Sequence, residues 1–228
     1  MSYYPIFLQL EGMTALVVGG GGVAQRKVET LLEYGASISI VSRELTDKLK
    51  QLVDAKGVRY LGPDMDDAFF DNVSLVIAAT DDAQLNHRVS QGARQRGLLV
   101  NAVDQPADCT FIVPSIVRRG DLMIAISTSG KSPALSKKIR KGLEAQFGNA
   151  YAEFLGLMGR LREGVLAMGL AQQENSRIFH EIVESDILEA LAQEDRGTVE
   201  ASLRRILPPS MDIEAILHDE VPGKRDAR

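Results

Sequence analysis

The sequence predicts an α/β protein in three parts: a parallel sheet flanked by helices, then a small region of different strand pairing, then an all-helical C-terminal domain. Three observations carry that prediction. Residues 14–24 run without interruption from an apolar strand through a glycine turn into a helix start. Strand and helix patterns then alternate for about 100 residues, the signature of a doubly wound parallel sheet. Beyond Asn101 the alternation stops. Residues 111–113 and 122–126 read as strands too close together for a crossover helix, and from Tyr151 to about Ile206 the periodicity is helical.

The first strand, residues 15–18, is a continuous apolar run and suits a central strand buried on both faces. Gly19, Gly21 and Ala24 follow with the G-x-G-x-x-G/A spacing of a Rossmann-type dinucleotide site. There the first glycine makes the tight turn, the second admits a pyrophosphate against the backbone, and the small third residue packs helix on strand. Val23, Ala24, Val28, Leu31 and Leu32 recur at helical period, and Gly35 is the stop. Free N–H groups at such a helix start, with its dipole, favour a phosphate. A glycine run also serves a plain turn, but the strand before and helix after favour the dinucleotide reading.

The second strand, residues 37–41, ends in Ser42-Arg43-Glu44. Glu44 can take the role of the acid that holds ribose hydroxyls, or Arg43 can neutralise a 2′-phosphate, so NAD and NADP both stay open here. Residues 45–53 read as a short amphipathic helix and 57–60 as a third strand. The fourth strand, 73–79, ends in Thr80-Asp81-Asp82, polar groups at a carboxyl end where open α/β sheets hold ligands. A helix over 83–96 stops at Gly97, and 98–101 is the fifth strand. Residues 4–10 form an extended lead-in expected to pack at an edge.

Two short strands bury little alone, so the region after the sheet is expected to pair with a second copy in a homodimer. Residues 127–133 form a polar loop with Ser132 as N-cap and Pro133 opening a helix over 134–147. The expected domains are 1–113 for NAD binding, 114–147 for dimerisation, 148–209 as the helical domain and 210–228 as a mobile tail.

The 228 residues are 45% hydrophobic and 25% charged, an ordinary globular balance. A net charge of −5 argues against general nucleic-acid or membrane-surface binding. The segment 114–147 is the exception. Arg118, Arg119, Lys131, Lys137, Lys138, Arg140 and Lys141 stand there against only Asp121 and Glu144, a local +5 that suits either a polyanionic ligand or an ordinary solvated helix face. Cys109 is alone, so no intrachain disulfide forms. No secretory leader or run of roughly 18 apolar residues is present, so a cytoplasmic protein is expected. His87, His180 and His218 are scattered, and no spacing marks a metal site.

Taken with the glycine turn, residues 78–81 (Ala-Ala-Thr-Asp), 101–104 (Asn-Ala-Val-Asp), 111–115 (Phe-Ile-Val-Pro-Ser) and 127–133 (Ser-Thr-Ser-Gly-Lys-Ser-Pro) occur in one order over nearly the whole chain. In this the sequence resembles the precorrin-2 dehydrogenases, which also form the N-terminal module of bacterial sirohaem synthase. Without the methyltransferase domain of the fused enzymes, it looks like the free-standing form. The resemblance implies NAD⁺-dependent oxidation of precorrin-2 to sirohydrochlorin and, in bifunctional members, insertion of Fe²⁺. It implies Gly22, Val23, Arg43, Glu44, Thr80 and Asp81 as NAD contacts. Asp104 matches the family's essential aspartate, expected in a partly buried cleft to take the proton that accompanies hydride loss. Read from position alone, the same residue is a turn aspartate. Because precorrin-2 is a polycarboxylate, the basic segment gains a use, with Thr128, Ser129, Lys131 and Ser132 as candidate substrate contacts. Thr128 stands where relatives carry serine. A monofunctional dehydrogenase, a non-catalytic NAD(H) sensor and a tetrapyrrole carrier are the competing readings.

Overall fold

The computed structural model describes residues 3–218 and divides the chain after Val113 into two compact units. The first contains β1 (Thr14–Val18), α1 (Gly22–Glu33), β2 (Ser37–Val41), α2 (Asp47–Asp54), β3 (Val58–Gly62), β4 (Leu75–Ala78), α3 (Ala83–Gln95) and β5 (Leu99–Ala102). All five strands are parallel in the order β3-β2-β1-β4-β5. Alternate residues of β1 face opposite sides, yet Ala15, Leu16, Val17 and Val18 are all buried, because each side of the sheet carries its own core. A strand covered on both faces gains from apolar residues at every position, which is why β1 and β4 read as continuous runs.

Val18 stands beside Val41 of β2 and Ala78 of β4, so three strands end level. The chain winds outward from β1 to β3 and then returns to β4, making the β1/β4 junction the point where strand order reverses. Open sheets place ligands outside the carboxyl ends at such a junction. Gly35 and Gly97 end α1 and α3 with left-handed backbones, as their spacing predicts.

The second unit contains β6 (Ser115–Arg119), β7 (Leu122–Ile126), α4 (Pro133–Gln146), α5 (Ala150–Ala167), α6 (Gln172–Val183), α7 (Ile187–Ala192), α8 (Arg196–Ile206) and α9 (Ile213–His218). The hairpin is antiparallel as expected, but its first strand is not 111–113. Phe111 belongs to the first unit, where its ring packs on the core and its carbonyl accepts from Asn101 Nδ2 at 3.1 Å. Pro114 has no N–H to offer a ladder, and pairing starts beyond it. Gly120 and Asp121 form the two-residue turn. A Cβ at Gly120 would sit 3.0 Å from Ala152 Cβ on α5, so the hairpin lies tight against the helices. Regions 114–147 and 148–209, separate by sequence pattern, thus fall in one compact unit. Its core is Leu157, Leu161, Val165, Ile178, Ile182, Ile187, Val199 and Leu203, drawn from four helices.

The expectation of a mobile tail from residue 210 is corrected up to 218. Ile213 is buried there, and Met211, Ile216 and Leu217 pack against the helical core, an apolar face that the charged residues around it obscure in the sequence. Residues 219–228 lie outside the described part. The lead-in 4–10 forms no strand; Leu10 packs on the sheet core while Tyr4, Ile6 and Phe7 are exposed. Among the described residues no helix is long and apolar enough to cross a membrane.

Candidate functional site

A cavity of about 730 Å³ opens at the carboxyl ends of β1, β2 and β4, entirely within the first unit. Its floor is the glycine turn. Gly19 donates to the Val41 carbonyl at 2.8 Å, and its φ of 123° is open to glycine alone. A Cβ there would lie 2.2 Å from the Ala79 carbonyl oxygen. At Gly20, which the motif spacing leaves as a free position, a Cβ would lie 2.0 Å from the Glu44 carbonyl oxygen. Gly20 itself accepts from Thr46 N–H at 3.0 Å, locking the turn to the segment after β2. At Gly21 and Gly22 an added Cβ would meet nothing within 4 Å.

The turn is therefore closed on its protein side and bare on its outer side. No side chain caps α1 at Gly21, and the first bond back into the helix is Gln25 N–H to the Gly21 carbonyl. The donors of Gly22, Val23 and Ala24 precede that bond and are available to an anion. Ala24 is fully buried against the core, the close packing its motif position requires, and Val23 is partly exposed. These features fit a dinucleotide pyrophosphate: bare backbone, unused donors and a positive helix end at one point.

The rim carries the polar groups. Ser42 Oγ donates to the Glu44 carbonyl at 2.6 Å and shapes the loop that bears Arg43 and Glu44, both exposed. Arg43 pairs with Asp64 through Nε at 3.1 Å and Nη2 at 2.8 Å, a bond that raises its already high pKa. Thr80 is pinned by the buried Asn86, whose Oδ1 accepts from Thr80 Oγ1 at 2.7 Å and whose Nδ2 donates to the Thr80 carbonyl at 2.9 Å. Asp81 is exposed beside it, and Asp82 caps α3 by accepting from Gln84 and Leu85 N–H. Gly20, Ser42, Asp64, Asn86 and Arg88 escaped the sequence reading. Gly20 lay in plain view within the glycine run, whereas nothing local marks Asp64 or Asn86.

Asp104 lies just past β5, where Val103 N–H bonds the Ala78 carbonyl at 2.9 Å. Its backbone is left-handed at φ 59°, a conformation that costs a non-glycine residue about 1–2 kcal/mol. In the single chain Asp104 is exposed, and among the described residues its carboxylate has no hydrogen-bond partner, so it does not cap backbone amides. The next residues are strapped to α3: Gln105 Nε2 donates to the Ala83 carbonyl at 3.0 Å, His87 Nδ1 pairs with Asp108 at 2.9 Å, and Arg94 Nη2 donates to the Ala107 carbonyl at 2.7 Å. The buried Cys109 thiol bonds the Ala102 carbonyl at 3.2 Å and closes the turn from below. Such strapping holds a strained residue in place.

In the second unit the Ser127, Thr128 and Ser132 hydroxyls of the 127–132 loop are already engaged. Thr128 Oγ1 accepts from Ser132 N–H at 3.2 Å and lies 3.1 Å from Ser136 Oγ, and Ser132 Oγ caps α4 by accepting from Leu135 N–H at 3.2 Å. Ser129, left-handed at φ 51°, and Lys131 are exposed. Lys137, Lys138 and Lys141 are exposed along α4, while Arg140 pairs with Glu144 and Arg119 donates to the Glu144 carbonyl. Among the described residues no group of three or more His, Cys, Asp or Glu is placed to hold a metal ion.

Residues 6–115 match a family model described as putative NAD(P)-binding, and residues 119–146 match one described as sirohaem biosynthesis protein central. The siroheme synthase of Sodalis glossinidius (strain morsitans) is 43% identical over 176 residues, 74% of this chain and 36% of the relative. That of Pseudomonas entomophila (strain L48) is 44% identical over 168 residues, with the same coverage of 74% and 36%. The chain thus spans little more than a third of the length of these curated relatives. The solved structure of SirC, precorrin-2 dehydrogenase, has the same fold, with a TM-score of 0.76 at 24% identity over 90% of this chain and 98% of that one.

Proposed function

We propose that the chain, which matches the sirohaem synthases over its NAD(P)-binding and central modules, oxidises precorrin-2 to sirohydrochlorin with NAD⁺. The observation that carries this reading is the cavity at the strand ends, where a bare glycine turn and unused helix donors meet a polar rim. A nicotinamide dinucleotide held there would supply the hydride acceptor, taking up the two electrons that the substrate gives up.

The chain's own residues do the rest. Donors of Gly22, Val23 and Ala24 hold the pyrophosphate, while Thr80, fixed by Asn86, and Asp81 line the cavity at the end of β4. Asp104 takes the proton that accompanies the hydride. The strapped left-handed turn fixes where the Asp104 carboxylate starts, and its lack of a partner leaves it available to the substrate. The second unit contributes charge: Lys131 and the exposed lysines of α4 attract the substrate's carboxylates. The two-stranded β6–β7 sheet, with Ile116, Met123, Ile124 and Ile126 only half-buried, supports pairing with a second copy as a homodimer.

The test is an anaerobic optical assay with precorrin-2 and NAD⁺, followed by Fe²⁺ once the first spectrum settles. The sirohydrochlorin spectrum with matching NADH is the expected result, and a further enzyme-dependent shift on adding Fe²⁺ adds metal insertion to the activity. Asp104→Asn, which tolerates the left-handed backbone, is expected to lower turnover by about 10²–10⁴-fold and leave NAD⁺ affinity unchanged. NAD⁺ binding without any turnover by the wild type overturns the enzyme reading in favour of a sensor or carrier.

A further inference from the structure

In parallel sheets that prefer NAD, the acid that engages the ribose hydroxyls usually ends the second strand. Here β2 runs into Ser42, Arg43 and Glu44, where Arg43 taken alone would suit a 2′-phosphate and Glu44 a free ribose. The pairing of β2 with β3 changes that. A register shift puts Val41 opposite Gly62, and Ser42 N–H bonds the Gly62 carbonyl at 3.1 Å, while Tyr60 Oη donates to the Ser42 carbonyl at 2.9 Å. The chain leaving β3 therefore passes beside Arg43 and delivers Asp64 to its guanidinium, with both Nε and Nη2 on one carboxylate oxygen. Arg43 and Asp64 both line the cavity, together with Glu44, Asp81 and Asp82; Arg88 is the other cation there.

We infer that Asp64, through its pair with Arg43, makes this cavity select NAD over NADP. The inference rests on the dinucleotide reading above. Asp64 occupies the guanidinium that would otherwise receive a 2′-phosphate, and its own carboxylate repels the charge of about −1.5 to −2 that such a phosphate brings. A ribose with two free hydroxyls meets no such penalty and finds acceptors in the same carboxylates. Because the pair is largely exposed, its loss costs the fold little.

The experiment is a titration of the full 228-residue chain with NAD⁺ and with NADP⁺, read by calorimetry without tetrapyrrole. Wild type is expected to prefer NAD⁺. Asp64→Asn is expected to tighten NADP⁺ by about tenfold while moving NAD⁺ less than about threefold. Adding Arg43→Met to Asp64→Asn is expected to erase that gain. Asp67→Asn removes an equal charge paired with Arg96 outside the cavity and serves as control. An unchanged preference in Asp64→Asn, an equal shift in Asp67→Asn, or a gain that survives loss of Arg43 overturns the inference while the dinucleotide site stands. Binding of neither dinucleotide overturns both.

Discussion

Two strand-to-helix connections in this chain share a plan and differ in material. Residues 19–21 lead β1 into α1 by backbone packed on backbone, leaving no room for a Cβ at Gly19 or Gly20 and no cap at Gly21. Residues 127–132 lead β7 into α4 by hydroxyls: Thr128 closes the loop, Ser132 caps the helix, and Pro133 brings no donor at all. An uncapped helix start on bare backbone leaves more donors for an anion, whereas a capped one gives part of them to its own chain. Of the candidate substrate contacts in this loop, Thr128 and Ser132 bond their own chain, while Ser129 and Lys131 are exposed. Under the proposed function the exposed lysines, rather than the hydroxyls of Thr128 and Ser132, therefore have the task of meeting a polyanion.

The contrast breaks most readily at Gly20. Gly20→Val, whose Cβ would overlap the Glu44 carbonyl, is expected to cost about 3 kcal/mol or more and abolish NAD⁺ binding, whereas Gly21→Ala stays within about 0.5 kcal/mol of wild type in a denaturant melt. Ser132→Ala, at the corresponding cap of α4, is expected to lose about 1 kcal/mol and to leave NAD⁺ affinity unchanged by calorimetry. Equal losses at Gly21 and Ser132 would erase the distinction. Lys131→Ala is expected to raise KM for precorrin-2 about threefold to tenfold with kcat and stability unchanged, placing the loop's role in its charge.

The smallest effect is expected where charge touches neither connection. On α6 the Arg177 guanidinium holds the Glu174 carboxyl below the usual carboxylate range. Its contribution is thus present at neutral pH and is lost as pH falls through that depressed value. The small Tm deficit of Glu174→Gln at pH 7 is expected to close in acid, with no change in ligand binding.

Much of the first unit is legible in the sequence because its determinants are local. A strand covered on both faces must be apolar at every position, and the glycine spacing, Gly35 and Gly97 follow from backbone requirements that only those residues meet. The hairpin was harder to place: residues 111–113 have strand composition, but the first unit claims Phe111 and Pro114 delays the pairing. α9 was hidden for a related reason, since a short apolar face among charges shows only when a core exists to receive it.

Within the site, Gly19, Gly21 and Ala24 could be named from order and spacing, and Asp104 only from the family resemblance. Asp64 and Asn86 could not, because each acts on a residue distant in sequence or at a spacing no motif encodes. By itself, then, the sequence determined the parallel sheet, the glycine turn at its centre and the basic segment after it, since hydrophobic period and backbone freedom are written residue by residue. Only the tertiary structure decided that Asp104 stands unbonded in a strained turn, that α4 spends its own cap and that Asp64 meets Arg43. Strand register and packing fix which polar atoms find one another and which are left for a ligand.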